Sequence, residues 1–375
     1  MKVLVIGGGY AGLLCALRLA RKSEAEVTLV DGRPHFSERV RLHEDVANGW
    51  RRRKPLAELL CGTRVSLRVG WISELDLESR HAGGDAFDEL VIATGSAASR
   101  PRIPGFEHAL TCDVEESAHV TAGHIQNTHG PIVVIGGGLT GLELAAELGA
   151  RKKHVTLVTD GALGQASLTD ASRAYAKAAL ARFGVELLED SRVTAIEKGA
   201  VVLVNGSSLP SECTIWAGGL APSPLPRSIG LAVDATGRAI VDDRLRSVSH
   251  PFVHVAGDAA RVSFGPHVLR MACATAMPMG AYVADDIANR APRPFQFSYA
   301  VQCASLGRAS GLAQRVDRAD RPVPRFFGGR PAAWLKQGLC RYTMLSMATE
   351  RSGFSYRWFE SPMIAPEAPR LAQRA

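Results

Sequence analysis

Residues 3–31, VLVIGGGYAGLLCALRLARKSEAEVTLVD, recur in altered form as residues 132–160, IVVIGGGLTGLELAAELGARKKHVTLVTD. Each copy runs from an apolar stretch suited to a buried parallel strand, through a glycine cluster and a helical apolar pattern, to a second strand, VTLV. The glycines fall at Gly7, Gly9 and Gly12 in copy one and at Gly136, Gly138 and Gly141 in copy two, giving G-x-G-x-x-G both times. The first glycine allows a sharp turn, the second lets backbone approach a pyrophosphate, and the third lets the helix pack closely on the strand. N–H groups at the helix start, around Tyr10 and Ala11 in copy one and Leu139 and Thr140 in copy two, then face the phosphates. One such motif is weak. Two, each with its flanking strands and helix, predict an α/β fold with two Rossmann-like dinucleotide-binding domains.

Asp31 stands nineteen positions after Gly12 at the end of the second strand, where a carboxylate can accept hydrogen bonds from the ribose hydroxyls of an adenosine. In copy two the strand alignment puts Thr159 at that place, whereas counting from Gly141 puts Asp160 there. Asp160 is equally suited to cap a turn. Neither Arg nor Lys occurs between Thr159 and Arg173 to meet a 2′-phosphate, which favours NADH without excluding NADPH.

At 375 residues the chain exceeds one ordinary core, so two to three domains are expected. Hydrophobic residues make up 46% and charged residues 22%, which disfavours disordered and fibrous readings. Met1 and Lys2 run straight into Val3-Leu4-Val5-Ile6, leaving no room for a signal peptide, so a cytoplasmic location is expected. The uncharged run Met271–Ala284 contains Pro278 and Gly280 and is too short for a membrane span. Seven scattered cysteines without a CxxC suggest neither a disulfide framework nor a zinc site. The absence of HExxH, G-x-S-x-G and patterned basic-aromatic modules sets aside metalloprotease, serine-hydrolase and nucleic-acid readings. The net charge of +7 is concentrated at the C-terminal end. Residues 291–375 hold 13 Lys and Arg against 5 Asp and Glu, a balance of +8, and the remainder carries −1. Such a segment suits anionic lipid, an acidic partner or a solvated surface.

Two nucleotide sites on one chain suit a prosthetic group and an exchanging one. The chain resembles the two-dinucleotide-binding-domain flavoproteins, and within them type II NADH dehydrogenases and apoptosis-inducing-factor-like oxidoreductases, over residues 1 to about 290. Three segments carry the resemblance beside the glycine motifs: FDELVIATG at 87–95, RPRIPG at 100–105 and FVHVAGD at 252–258. It implies FAD and NAD(P)H as cofactors, with the NAD domain inserted in the FAD domain and a small C-terminal cap. It places Thr94 and Gly95 close to the flavin, Asp258 on the ribityl chain after Gly257, and Gly218 in a small-residue turn over the nicotinamide. Arg33 and Arg41, in the polar run after Asp31, are expected to neutralise phosphate, although a solvated surface role for one of them stays open.

Glu143 stands where copy one has Leu14, so packing alone does not call for a carboxylate there. The resemblance sets it near nicotinamide and flavin as the catalytic residue; a first-turn Glu favoured by the helix dipole is the plain alternative. The segment MACATAMPMG, 271–280, is expected to begin a helix whose N–H groups face the flavin's O2 and N1, with Met277 and Pro278 nearest. Type II NADH dehydrogenases carry glutamines beside the quinone, where this chain has Ala274, Pro278 and Met279, and this weakens the case for a quinone acceptor.

The expected division is a flavin domain at 1–110 and 236–290, an NAD(P)H domain at 111–235, and a cap at 291–375. In the cap, Trp334, Leu335, Leu339, Tyr342, Leu345 and Met347 recur at helical spacing, with Lys336 and Arg341 elsewhere on the turn. This helix is expected to pack on its own domain or to rest on the inner face of a membrane. The expected activity is hydride transfer from NAD(P)H to FAD and onward to a quinone-like small acceptor. Alternatives are a soluble tailoring oxidoreductase for an aromatic metabolite, a ferredoxin-type reductase, or a slow nucleotide-binding redox sensor. A homodimer is compatible with all of them.

Overall fold

A computed structural model of the chain describes residues 1–265 and 267–360; the end of the basic segment, 361–375, lies outside the described residues. Two five-stranded parallel sheets form its centre. In the first, the strand order is Val253–Val255, Glu89–Ile92, Lys2–Ile6, Glu26–Asp31, Val65–Val69. In the second it is Ala109–Thr111, Cys213–Trp216, Ile132–Ile135, Val155–Val158, Glu186–Leu188. The two orders match, with the first strand of each repeat at the centre. Ile132–Ile135 is buried throughout, as a strand covered on both faces must be.

All strands of the second sheet lie in sequence between Ile92 and Val253, so the chain leaves the first sheet, builds the second and returns. The fold is therefore α/β, with two Rossmann-like domains, one inserted in the other. The return leads into helix Cys273–Ile287, which packs along helix Tyr10–Lys22. The two backbones nearly touch at Gly280, where a Cβ would collide with the Ala11 main chain.

The C-terminal unit consists of three antiparallel strands, Val301–Ser305, Gly311–Val316 and Pro322–Gly328, followed by helix Gly329–Arg351. The helix is anchored to the first unit through fully buried Glu350, whose carboxylate accepts from Arg21 at 2.6 Å. The expected helix forms, but its apolar stripe is split. Trp334, Leu339, Tyr342 and Leu345 face outward, whereas Met347 is buried, and Lys336 is buried with it. A buried counter-charge accounts for the inward lysine, as described below.

One short helix crosses between units. Leu42–Asn48 follows the first repeat in sequence, yet Leu42, Val46 and Ala47 are buried in the core of the second unit, packed with residues such as Ile125 and Leu142. Among the described residues, no helix is long and apolar enough to cross a membrane.

Candidate active site between the two nucleotide units

The two glycine turns are superimposable in their chemistry. Gly7 and Gly136 have φ of +108° and +124°, a region disfavoured for side chains, and a Cβ on either would strike the backbone of Ala93 or Ala217. A Cβ on Gly12 would fall on the Gly7 carbonyl, and one on Gly141 on the Gly136 carbonyl. Gly9 and Gly138 differ: among the described residues, nothing lies within 4 Å of either Cβ position. The outer glycines are thus demanded by the chain's own packing, and the middle ones by open space at a helix start. Each is an N-cap without a side-chain partner, so the first N–H groups of both helices remain available to an anion.

Strand register decides the ribose positions. Ile6 pairs with Val30 in the first sheet and Ile135 with Val158 in the second, which makes Asp31 and Thr159 equivalent. Asp31 Oδ2 accepts from the Gly8 N–H at 2.6 Å and Oδ1 from the Arg33 N–H at 2.8 Å, holding the carboxylate against the glycine turn. The Thr159 side chain covers Gly137 in the same way, while Asp160, the next residue, is exposed.

Beside the second glycine turn is a cavity of about 970 Å³ lined by Gly136, Gly138, Leu139, Thr140, Thr159, Asp160 and Gly218. A smaller cavity of about 240 Å³ is lined by Gly9, Tyr10, Ala11, Arg39, Gly95, Gly257, Asp258 and Cys273. The two meet: Thr140, Trp216, Ala217 and Gly219 line both. Phe106 braces this shared wall, its ring edge-on to Trp216 at 5.5 Å. In the smaller cavity Asp258 Oδ2 accepts from the Ser96 hydroxyl at 2.6 Å, with Arg39 Nη1 at 3.9 Å.

The cavities fit the groups that the glycine motifs imply. Among the described residues, the buried hydroxyls of Tyr10, which lines the smaller cavity, and of Thr94, beside Gly95, have no hydrogen-bond partner. The open sites at Gly9 and Gly138 are the cradles that a side chain would fill. Together these features suit a flavin dinucleotide in one unit and a nicotinamide dinucleotide in the other.

Other expected site residues are placed differently. Arg33 Nε donates to Glu116 at 2.5 Å and its guanidinium lies over Trp71; Arg41 Nη2 is bound to Glu44 at 3.1 Å. Arg39, between them in sequence, lines the smaller cavity instead. Helix Cys273–Ile287 begins one turn earlier than Met277 and Pro278, which are buried in its interior; Ala272, Cys273 and Ala276 face the cavity.

Glu143 is buried and lines neither cavity, although Thr140 one turn before it lines both. Its Oε1 accepts from the Ser305 N–H at 2.8 Å and forms an ion pair with Lys336. Its Oε2 lies 3.6 Å from His43 Nδ1. Burial alone lowers the Lys336 pKa, but the adjacent Glu143 carboxylate outweighs this and holds the ammonium above its ordinary value. Burial depresses His43 to about 4, the pull of Glu143 being opposed by Lys336, so its ring is neutral near pH 7. Sequence inspection singled out Glu143 and missed its partners, because His43, Ser305 and Lys336 come from three distant segments.

The NADH dehydrogenase-like protein Rv1812c of Mycobacterium tuberculosis is 29% identical over the whole of this chain and 99% of its own length. The demethylphylloquinone reductase NdbB of Synechocystis is 28% identical over 69% of this chain and 72% of its own. Among solved structures, the sulfide:quinone oxidoreductase of Aquifex aeolicus superimposes with a TM-score of 0.77 at 22% identity, covering 94% of this chain and 93% of that one. The sequence model of the pyridine nucleotide-disulphide oxidoreductases matches residues 1–284; the chain belongs to that family and is an FAD-dependent NAD(P)H oxidoreductase.

Proposed function

We propose that the enzyme delivers reducing equivalents from NAD(P)H to a quinone or quinone-like small molecule. The observation that carries this reading is the meeting of two nucleotide cavities at Thr140, Trp216, Ala217 and Gly219. FAD, when bound, supplies a two-electron acceptor for the nicotinamide hydride.

The chain's own work is positional. Helix starts at Gly9 and Gly138 bind the pyrophosphates, and Asp31 accepts from the flavin-side ribose. Asp258, steadied by Ser96 and with Arg39 nearby, holds the ribityl hydroxyls. Trp216, backed by Phe106, closes the shared wall and would help to position the flavin and nicotinamide rings when both are bound. Glu143 acts through the backbone: pinned by Lys336 and Ser305, it fixes the helix whose first turn presents Thr140 to both cavities.

A quinone acceptor is supported by the relation to NdbB, whose name denotes a quinone reductase. It is also supported by the outer face of helix Gly329–Arg351. There Trp334, Leu339, Tyr342 and Leu345 are exposed among Arg330, Arg341 and Arg351, a composition suited to lying in an anionic membrane surface. A second reading, reduction of an acidic ferredoxin-like protein, is favoured by the +8 balance of residues 291–375.

Steady-state turnover with menadione, a ubiquinone analogue and an acidic ferredoxin separates the two. Quinone turnover at least tenfold faster than ferredoxin turnover supports the first reading, and the reverse ratio replaces it with the second.

A further inference from the structure

The second glycine-turn site departs from the first at the residue that ends the strand after the glycine helix. Equivalent strand positions hold Asp31 in one copy and Thr159 in the other, both folded over the middle of the glycine turn. Thr159 is only 7% exposed. Its hydroxyl occupies the place of a carboxylate, which removes the charge that would repel a phosphate on the ribose 2′-oxygen.

A cation is available at the same place. The strand after Val155–Val158 ends at Leu188, and the chain then turns back so that the Ser191 N–H donates to the Thr159 carbonyl at 2.8 Å. Arg192 follows immediately, is exposed, and lines the large cavity together with Thr159 and Ser191. Nearby Glu189 is engaged by the Leu163 N–H at 2.8 Å and by Lys177, so its charge is already met. Asp160, the other charged residue lining this cavity, is exposed, one position beyond Thr159. Arg192 lies outside the stretch between Thr159 and Arg173 and reaches the cavity from the turn that follows the neighbouring strand Glu186–Leu188.

We propose that this pocket reads a 2′-phosphorylated adenosine, with Arg192 as the phosphate-binding residue and Thr159 as the residue that admits it. NADPH is then the preferred reductant. An Arg guanidinium can meet a phosphate through two parallel N–H donors, which gives direction as well as attraction. The inference rests on the hydride-transfer reading above only for its kinetic consequence; the binding claim stands independently.

The test uses the flavin-loaded full chain and two redox-inert probes, adenosine 2′,5′-bisphosphate and 5′-AMP, titrated by calorimetry. The bisphosphate is expected to bind at least about tenfold more tightly, and anaerobic flavin bleaching at equal subsaturating concentrations is expected to be faster with NADPH than with NADH. Arg192→Ala should reduce the bisphosphate preference to within about threefold, Arg192→Lys should restore part of it, and Thr159→Asp should reverse it. Equal binding of the two probes by the wild type, or a ratio unchanged in Arg192→Ala, overturns the proposal. Preferential bisphosphate binding without bleaching by either coenzyme leaves the pocket assignment standing and overturns hydride transfer. Bleaching by NADH at least as fast as by NADPH, with no probe preference, does the opposite.

Discussion

Glu143 and Lys336, 193 positions apart in sequence, meet as a buried ion pair where all three parts of the chain converge. Glu143 comes from the second nucleotide unit and Lys336 from the C-terminal helix, while His43 approaches from the segment after the first repeat. Neither charge is well hydrated, so each depends on the other. The pair also explains why helix Gly329–Arg351 turns a lysine inward and a tryptophan outward.

Lys336→Met is expected to destabilise the fold by about 3–5 kcal/mol, because it leaves the Glu143 carboxylate buried without its counter-ion. Glu143→Gln combined with Lys336→Met should recover a large part of that loss. Denaturant unfolding of the two single variants and the double variant measures the coupling, and additive losses would show that the two side chains act independently.

His43 makes stability pH-dependent. Its folded pKa of about 4 lies below the ordinary histidine value, so the folded state binds fewer protons than the unfolded chain. The contribution is present above about pH 6.5 and is lost as pH falls towards 4, by an amount on the order of 3 kcal/mol. Unfolding measured at pH 7 and pH 4.5 should show a steeper loss in the wild type than in His43→Gln. Parallel losses would remove His43 as the cause.

Asp286 should act at lower pH. Its carboxylate is desolvated, but bonds from His254, Arg246 and Arg244 outweigh this and hold it at about 2. Stability from these contacts is complete above about pH 4 and is lost as pH falls through 2, worth about 2 kcal/mol. Asp286→Asn should flatten that acid limb. An unchanged slope in the variant would locate acid sensitivity elsewhere.

The glycine turns offer a contrast within one motif. Gly138 has an extended backbone with open space at its Cβ position, so Gly138→Ala should change stability by less than about 1 kcal/mol. The methyl group would nevertheless occupy the pyrophosphate's approach, and coenzyme affinity should fall at least tenfold. Gly141→Ala should do the reverse, costing about 1–3 kcal/mol by driving a methyl group into the Gly136 carbonyl. Thermal unfolding paired with coenzyme titration separates them.

Trp334→Ser with Leu345→Ser removes two apolar side chains from the outer helix face without touching either cavity. Flotation with vesicles containing anionic phosphatidylglycerol should be lost in the variant and retained in the wild type, while water-soluble quinone turnover stays within about twofold. Failure of the wild type to float would refute the membrane contact.

What was legible in the sequence was what depends on local backbone chemistry. The glycine spacings, the flanking strands and Asp31 could all be read because turn, helix start and ribose carboxylate lie within one unit. The choice between Thr159 and Asp160 needed the strand register, which two incompatible ways of counting could not provide. Arg39, rather than its neighbours Arg33 and Arg41, reaches the cavity because Glu116 and Glu44 engage the other two, pairings made by the fold. The side on which the last helix packs was not legible for the same reason: periodicity identifies an apolar stripe but not the buried carboxylate that pulls Lys336 inward.

The most direct test of the central claim is anaerobic titration of the flavin-loaded protein with NADPH and with NADH, following the oxidised-flavin absorbance. Adjacent nucleotide cavities predict prompt and complete bleaching by about one equivalent of coenzyme. Flavin that stays oxidised for minutes in the presence of saturating amounts of both coenzymes would contradict the account.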